Sequence, residues 1–166
     1  MVTLRSLRII TNNPLVKEKL SFICHMEYAD IPQHEILVRV RDLVYAGHTL
    51  CTHPLAGSVK PNETPYRSIA VSHRTAPLDE QSVLRCACAA EVLDRFKPFT
   101  HTQNEGVLRD LRLIDYTLLA AALGIDTPKE FLWGGRLFET GTGLYQDPQH
   151  SAFKGKPDRT GHAVCE

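Results

Sequence analysis

The sequence predicts a three-layer α/β domain: a short, mostly parallel sheet of about four strands with flanking helices. Three observations carry that expectation. Short apolar runs alternate with segments whose apolar residues recur at helical spacing. Asn, Asp, Gly and Pro stand at the junctions, where helix caps and turns require them. A length of 166 residues, 43% hydrophobic and 23% charged, suits one soluble domain with a real core and a short additional segment.

The first strand is Leu7-Arg8-Ile9-Ile10-Thr11. Asn13 can cap the helix that follows. Pro14 takes its first position, where a missing N–H costs nothing. Val16, Leu20 and Ile23 recur along that helix, and Met26-Glu27-Tyr28 reads as a weak second strand before Asp30 and Pro32. In the next helix Ile36, Leu37, Val40, Leu43 and Val44 share a face, and Gly47 suits its C-terminal cap. Thr49–Thr52 predicts a third strand and Ser68–Val71 a fourth. A helix capped by Asp79, with Val83, Cys86, Ala90 and Leu93 on one stripe, ends by Pro98. Asn104 opens a last long helix, with Val107, Leu111, Ile114 and Leu118 inward and Gly124 at its end. The α/β domain is therefore expected over residues 1–124. Residues 125–166 form a C-terminal extension that is polar from Gln146 onward and partly irregular.

The order strand, helix, strand, helix, strand implies right-handed crossovers and a Rossmann-like sheet with the first strand between the second and third. Ligands of such sheets bind at the carboxyl ends of the strands. Thr11-Asn12-Asn13 and the segment from His53 onward are expected to meet there. The direction of the fourth strand stays open, because the loop before it is long but holds no helix to act as a crossover.

Composition excludes several functions. Lys and Arg number 19, as do Asp and Glu, so formal net charge is zero, which argues against a general nucleic-acid or anionic-membrane surface. No apolar run approaches the roughly 20 residues that span a bilayer. The start, Met1-Val2-Thr3-Leu4-Arg5, lacks the features of a secretory signal, so a cytoplasmic location is expected. Five cysteines, an odd number without paired spacing, fit a reducing compartment. Cys86 and Cys88 point to nearly opposite sides of a helix. Cys51 and His53 share a strand face but fill only half of a zinc site. Neither GxGxxG nor GxxxxGK[ST] occurs. No metal and no cofactor is expected. Asp110 and Asp115 read as ordinary polar-face residues.

The chemistry concentrates in the loop His53–Arg67, HPLAGSVKPNETPYR. Its prolines stiffen it, so its polar groups need less ordering when a ligand arrives. His53 is a candidate acid/base or anion donor, the alternative being a histidine packed at a strand end. Lys60 can hold a carboxylate or phosphate as a point charge, and Arg67 can do so bidentately or form a structural salt bridge. Glu63 can pair with either, and Ser58 and Asn62 add hydrogen-bonding groups. Asn12 and Asn13 open a helix whose N–H groups favour an anion. The plainer alternative is a rigid surface turn in which Asn62, Glu63 and Thr64 cap backbone groups.

Three of these segments, Ile9–Leu20 (IITNNPLVKEKL), Val40–His48 (VRDLVYAGH) and Thr52–Ser68 (THPLAGSVKPNETPYRS), together resemble the GrdX family. Its members are small proteins encoded beside the glycine, sarcosine and betaine reductase systems of amino-acid-fermenting anaerobes. The long loop is the most specific part of the resemblance, which does not extend past Gly124. The resemblance transfers no catalytic residue and implies an accessory role. Because such reductases release an acyl phosphate, it also points to a small phosphate or carboxylate ligand. The leading expectation is an accessory protein that binds a small anionic metabolite between Asn12, Asn13 and the loop. One rival is an enzyme acting on a small carboxylate or acyl phosphate, with His53 as acid/base and Lys60 or Arg67 as clamp. Another is an interaction module. It would dock a reductase subunit, or a second copy in a homodimer, through the loop or through Leu118–Leu123.

Overall fold

The computed structural model describes residues 4–56, 60, 63–97 and 104–125. All fall in the first of two units into which the chain divides, residues 1–127. The extension expected from residue 125 lies, beyond Ile125, outside the described residues. After a 3-10 turn at Leu4–Ser6 come β1 (Leu7–Thr11), α1 (Pro14–Leu20), β2 (His25–Tyr28), α2 (Gln33–Tyr45), β3 (Ser68–Ser72), α3 (Glu80–Asp94) and α4 (Glu105–Ala122).

The sheet has the order β2-β1-β3. β1 pairs parallel with β2, Arg8 opposite His25 and Thr11 opposite Tyr28. It pairs antiparallel with β3, Leu7 opposite Ser72 and Thr11 opposite Ser68. A strand covered on both faces needs an unbroken apolar run, and Ile9, Ile10, Ile69, Ala70 and Val71 are all fully buried. Alternation sends Ile10, Ile69 and Val71 to one side, where α2 and α3 supply Ile36, Val40, Val44, Cys86 and Ala89. Ile9 and Ala70 face the other side, against Val16 and Leu20 of α1 and Tyr116, Leu119 and Ala120 of α4. The three-layer α/β expectation holds in that form.

Among the described residues the mostly parallel, four-stranded Rossmann-like order does not form. Thr49–Thr52 contributes one isolated antiparallel bridge, Leu50 to Val71, on the outer side of β3. The expected fourth strand takes the place beside β1. The physical reason is apolar content. Ser68–Ser72 offers three consecutive core residues, whereas Thr49–Thr52 offers Leu50 alone. A helix-free loop also suits an antiparallel return better than a parallel one.

Two helical stripes differ from expectation. In α3 the buried residues are Ser82, Cys86 and Ala89, with Ala90 exposed. In α4 the core face is Tyr116, Leu119 and Ala120, while Val107 is 43% exposed. That helix carries apolar residues on two flanks. The flank with the small Ala120 meets the small Ala70 at the sheet, leaving Leu111, Ile114 and Leu118 free for another purpose.

The caps follow the sequence reading. Asn13 Oδ1 accepts from the Leu15 N–H, Asp79 from Ser82, and Asn104 from Gly106 and Val107. Gly47 closes α2 at φ +97°, and a Cβ there would sit 2.5 Å from the Ala76 carbonyl oxygen. Gly47→Ala should therefore lower stability by at least ~1–3 kcal/mol through backbone strain. Urea unfolding of both proteins measures the difference.

Candidate functional site

The turn from β1 into α1 consists of two asparagines, and both are buried. Asn12 Nδ2 donates to the carbonyls of Ile31 and Pro65, each at 2.8 Å. Its Oδ1 accepts from the Arg67 N–H at 2.7 Å. Asn13 Nδ2 donates to the Arg112 carbonyl at 2.8 Å and to Asp115 Oδ2 at 2.9 Å. The expected meeting of this turn with the loop thus occurs, but at the loop's far end, Pro65–Arg67. Both amides are spent on holding the chain together.

The middle of the loop looks different. His53 is exposed, and its Nδ1 accepts from the Leu55 N–H at 3.1 Å. Lys60 and Glu63 form an exposed ion pair at 3.8 Å, and the Glu63 N–H donates to the Lys60 carbonyl. Such a pair contributes little. Ser58 and Asn62 lie outside the described residues.

Arg67 turns inward and is 6% exposed. Its Nη1 donates to the Ala56 carbonyl and its Nη2 to Gln33 Oε1, both at 3.3 Å. Its Nε has no hydrogen-bond partner, the only buried side-chain polar atom without one among the described residues. Among the described residues no ion pair to Arg67 forms within 4.0 Å. Burial pushes its pKa down, and the nearby Asp115 carboxylate opposes that shift. The guanidinium nevertheless stays charged.

Arg67 lines a cleft with Thr64, Tyr66 and Asp115, walled by Ala56 and by Leu111, Ile114 and Leu118 of α4. Its cavity volume is about 10 Å³, room for about one water molecule. Tyr66 is held over it by Arg112, whose Nε donates to the phenol oxygen at 2.7 Å.

Asp115 is the residue the sequence reading passed over. Its Oδ2 accepts from Ser68 Oγ at 2.6 Å and from Asn13 Nδ2. Burial raises its pKa above the usual carboxylate range. The hydrogen bonds from Ser68 and Asn13 and the charge of Arg67 offset only part of that rise. One signal was present: Asp115 interrupts the apolar flank Leu111, Ile114, Leu118, where an ordinary polar-face acid has no reason to be.

The cysteines carry no comparable arrangement. Cys24, Cys51, Cys86 and Cys88 form no disulfide, and burial pushes the Cys86 thiol up to about 11, which keeps it protonated and inert. Among the described residues no group of three or more His, Cys, Asp or Glu is placed to hold a metal ion. No described helix is long and apolar enough to cross a membrane. At the other end of the sheet His25 and His73 stack with ring centroids 3.6 Å apart.

Fold and cleft together define a class: a small three-layer α/β protein with a buried, incompletely paired arginine under a proline-stiffened loop. A family model described as GrdX-like protein matches residues 8–124, from β1 to just past α4, with both Arg67 and Asp115 inside it. The chain belongs to the GrdX-like family. No curated protein matches it, and no solved structure does.

Two pH effects follow, of opposite sign. Asp115 has a raised folded pKa, so the folded state takes up its proton first and its charge costs stability at neutral pH. Asp115→Asn should leave stability at pH 7 unchanged or higher and remove a gain that the natural protein shows on acidification. His73 has a lowered folded pKa, chiefly from desolvation and then from the charges of His25 and Arg8. The unfolded chain binds that proton more readily. Stability is therefore lost as pH falls from about 6.5 through the folded value. His73→Asn should flatten that part of the profile. Urea midpoints from pH 8 to 4 for the three proteins test both.

Proposed function

We propose that the protein is a non-enzymatic accessory protein that binds a small anionic metabolite, a carboxylate or phosphate compound, in the cleft at Arg67. One observation carries the reading: Arg67 is a buried cation with an unmade hydrogen bond and no ion-pair partner among the described residues. An unpaired buried donor costs ~1–3 kcal/mol, and more when charged. A bound anion supplies both the missing acceptor and the missing charge. Asn12 acts indirectly, fixing the Arg67 backbone through its N–H.

The rival readings draw less support. The enzyme reading assigns the acid/base work to His53, and His53 is not among the residues lining the cleft. The apolar end of α4 is largely spent on the protein's own core, with Leu119 and Ala120 buried and Leu123 packed against them. Membership of the GrdX-like family supports a role beside the glycine, sarcosine and betaine reductases, in the cytoplasm with them. Their carboxylate substrates and acyl phosphate product are small anions of the class proposed here.

The test is a thermal-shift series with acetate, phosphate and acetyl phosphate. It compares the natural protein, Arg67→Met and a His53→Ala, Lys60→Ala double variant. Arg67→Met keeps the volume and removes the charge, a change buried sites commonly tolerate. A ligand at about a hundred times its Kd adds ~2.7 kcal/mol, which reads as several degrees. The shift should vanish in Arg67→Met and persist in the double variant. The opposite pattern moves the site to the exposed loop, and no shift with any anion rejects the reading.

A further inference from the structure

We infer that the sheet margin at β2 pairs with β2 of a second copy of this chain, antiparallel, about a twofold axis at Met26.

The backbone of β2 sets which groups are on offer. The Ala29 N–H donates to the Thr11 carbonyl, so Ala29 faces β1, and by alternation Glu27 and His25 face it too. The N–H and C=O groups of Met26 and Tyr28 therefore point away from β1. Among the described residues no strand lies beyond them. The opposite margin of the sheet already carries the Leu50 bridge. Open margins are commonly blunted by lysine, proline or a bulge. His25-Met26-Glu27-Tyr28 contains neither residue, and its register with β1 is unbroken.

Side chains then choose the register. An added antiparallel strand sets outward-pointing residues against outward-pointing residues, because only these have backbone groups to exchange. With Met26 opposite its own copy, His25 stands opposite Glu27 of the second copy, and Glu27 opposite its His25. Glu27 lies on the α2 side of the sheet, where Arg39 holds it, and alternation puts His25 on that side too. An imidazole thus meets a carboxylate on each side of the axis, in the more closely spaced kind of antiparallel pair. A two-residue shift instead sets Glu27 against its own copy, and like charges directly opposite destabilise. In the favoured register the two Met26 residues exchange N–H and C=O bonds across the axis, and the Tyr28 N–H reaches the Cys24 carbonyl of the second copy. The Cys24 N–H takes no part, because it already donates to the Leu20 carbonyl.

A short strand needs apolar support to hold a dimer, and the adjoining turn supplies it. Phe22 is 88% exposed and Ile23 38% exposed in the turn that leads into β2. Antiparallel pairing lays that turn beside the second copy's chain just past Tyr28, so both side chains lose contact with water. A twofold contact satisfies itself, and assembly stops at two copies.

The experiment is sedimentation equilibrium of the full chain over a range of concentrations under reducing conditions. The natural protein should show a reversible equilibrium between one and two copies. Met26→Pro removes an outward N–H and leaves the bonds to β1 whole, so it should weaken the dimer about tenfold or more. His25→Glu sets like charges opposite each other on each side of the axis and should weaken it about as much. Phe22→Ala removes apolar contact and should also raise the dimer Kd, with the urea midpoint of the dilute single chain unchanged because Phe22 is exposed there. Should Met26→Pro fail to fold, the other two variants decide. A natural protein that stays a single chain at every concentration overturns the inference, as does a dimer that His25→Glu and Phe22→Ala leave unchanged.

Discussion

A closed ring of hydrogen bonds at the end of β1 holds the architecture and the cleft together. The Asn13 N–H donates to Thr11 Oγ1. Ser68 spends its one hydroxyl proton on Asp115, so Thr11 must donate to Ser68 across the 2.6 Å contact. Asp115 then receives the Asn13 side-chain amide, which returns the ring to its origin. One ring thus joins β1, the first residue of β3 and the middle of α4. It explains why β3 enters beside Thr11, and why a residue one position before β3 lies next to a carboxylate on a distant helix. Every member is small and polar, and in such a setting an unmade bond is costly. The ring therefore tolerates little rearrangement.

The sequence made much of this legible and left some of it hidden. Strands with unbroken apolar runs, helices with Asn or Asp caps and the Gly47 stop all stood where local chemistry put them, because those signals act over a few residues. Strand order was harder. It depended on whether Thr49–Thr52 or Ser68–Ser72 could better fill a position buried on both faces, a competition settled only by tertiary packing. The α4 face was ambiguous for a related reason: two flanks were apolar, and close approach to Ala70 selected the one with Ala120. The candidate site was legible in part. Arg67 was among the candidates, and the loop did meet Asn12 and Asn13. The roles of the asparagines depended on partners up to a hundred positions away, such as Asp115, and no local pattern reveals those.

Arg67 and Asp115 also show how the fold carries charge in its interior. Exposed pairs such as Lys60 with Glu63 sit in water and weigh little. The two cleft residues are held by neutral partners instead, which fixes their positions while leaving their charges unquenched. That arrangement sacrifices stability.

The irregular segment Thr49–Thr52 has one more consequence. Thr52 Oγ1 accepts the Ala70 N–H, and the Cys51 and Thr52 N–H groups donate to the Ala70 carbonyl. The Ser72 N–H goes to the Thr49 carbonyl, and His48 Nδ1 takes the Ser72 carbonyl at 2.7 Å, which fixes its proton on that nitrogen. From Ala70 to Ser72 the outward backbone groups of β3 are all occupied, partly by side chains that no neighbouring strand can imitate. A bare sheet margin is a template for other chains. Here that margin is sealed without a strand, so cross-chain growth of the sheet is blocked on the β3 side.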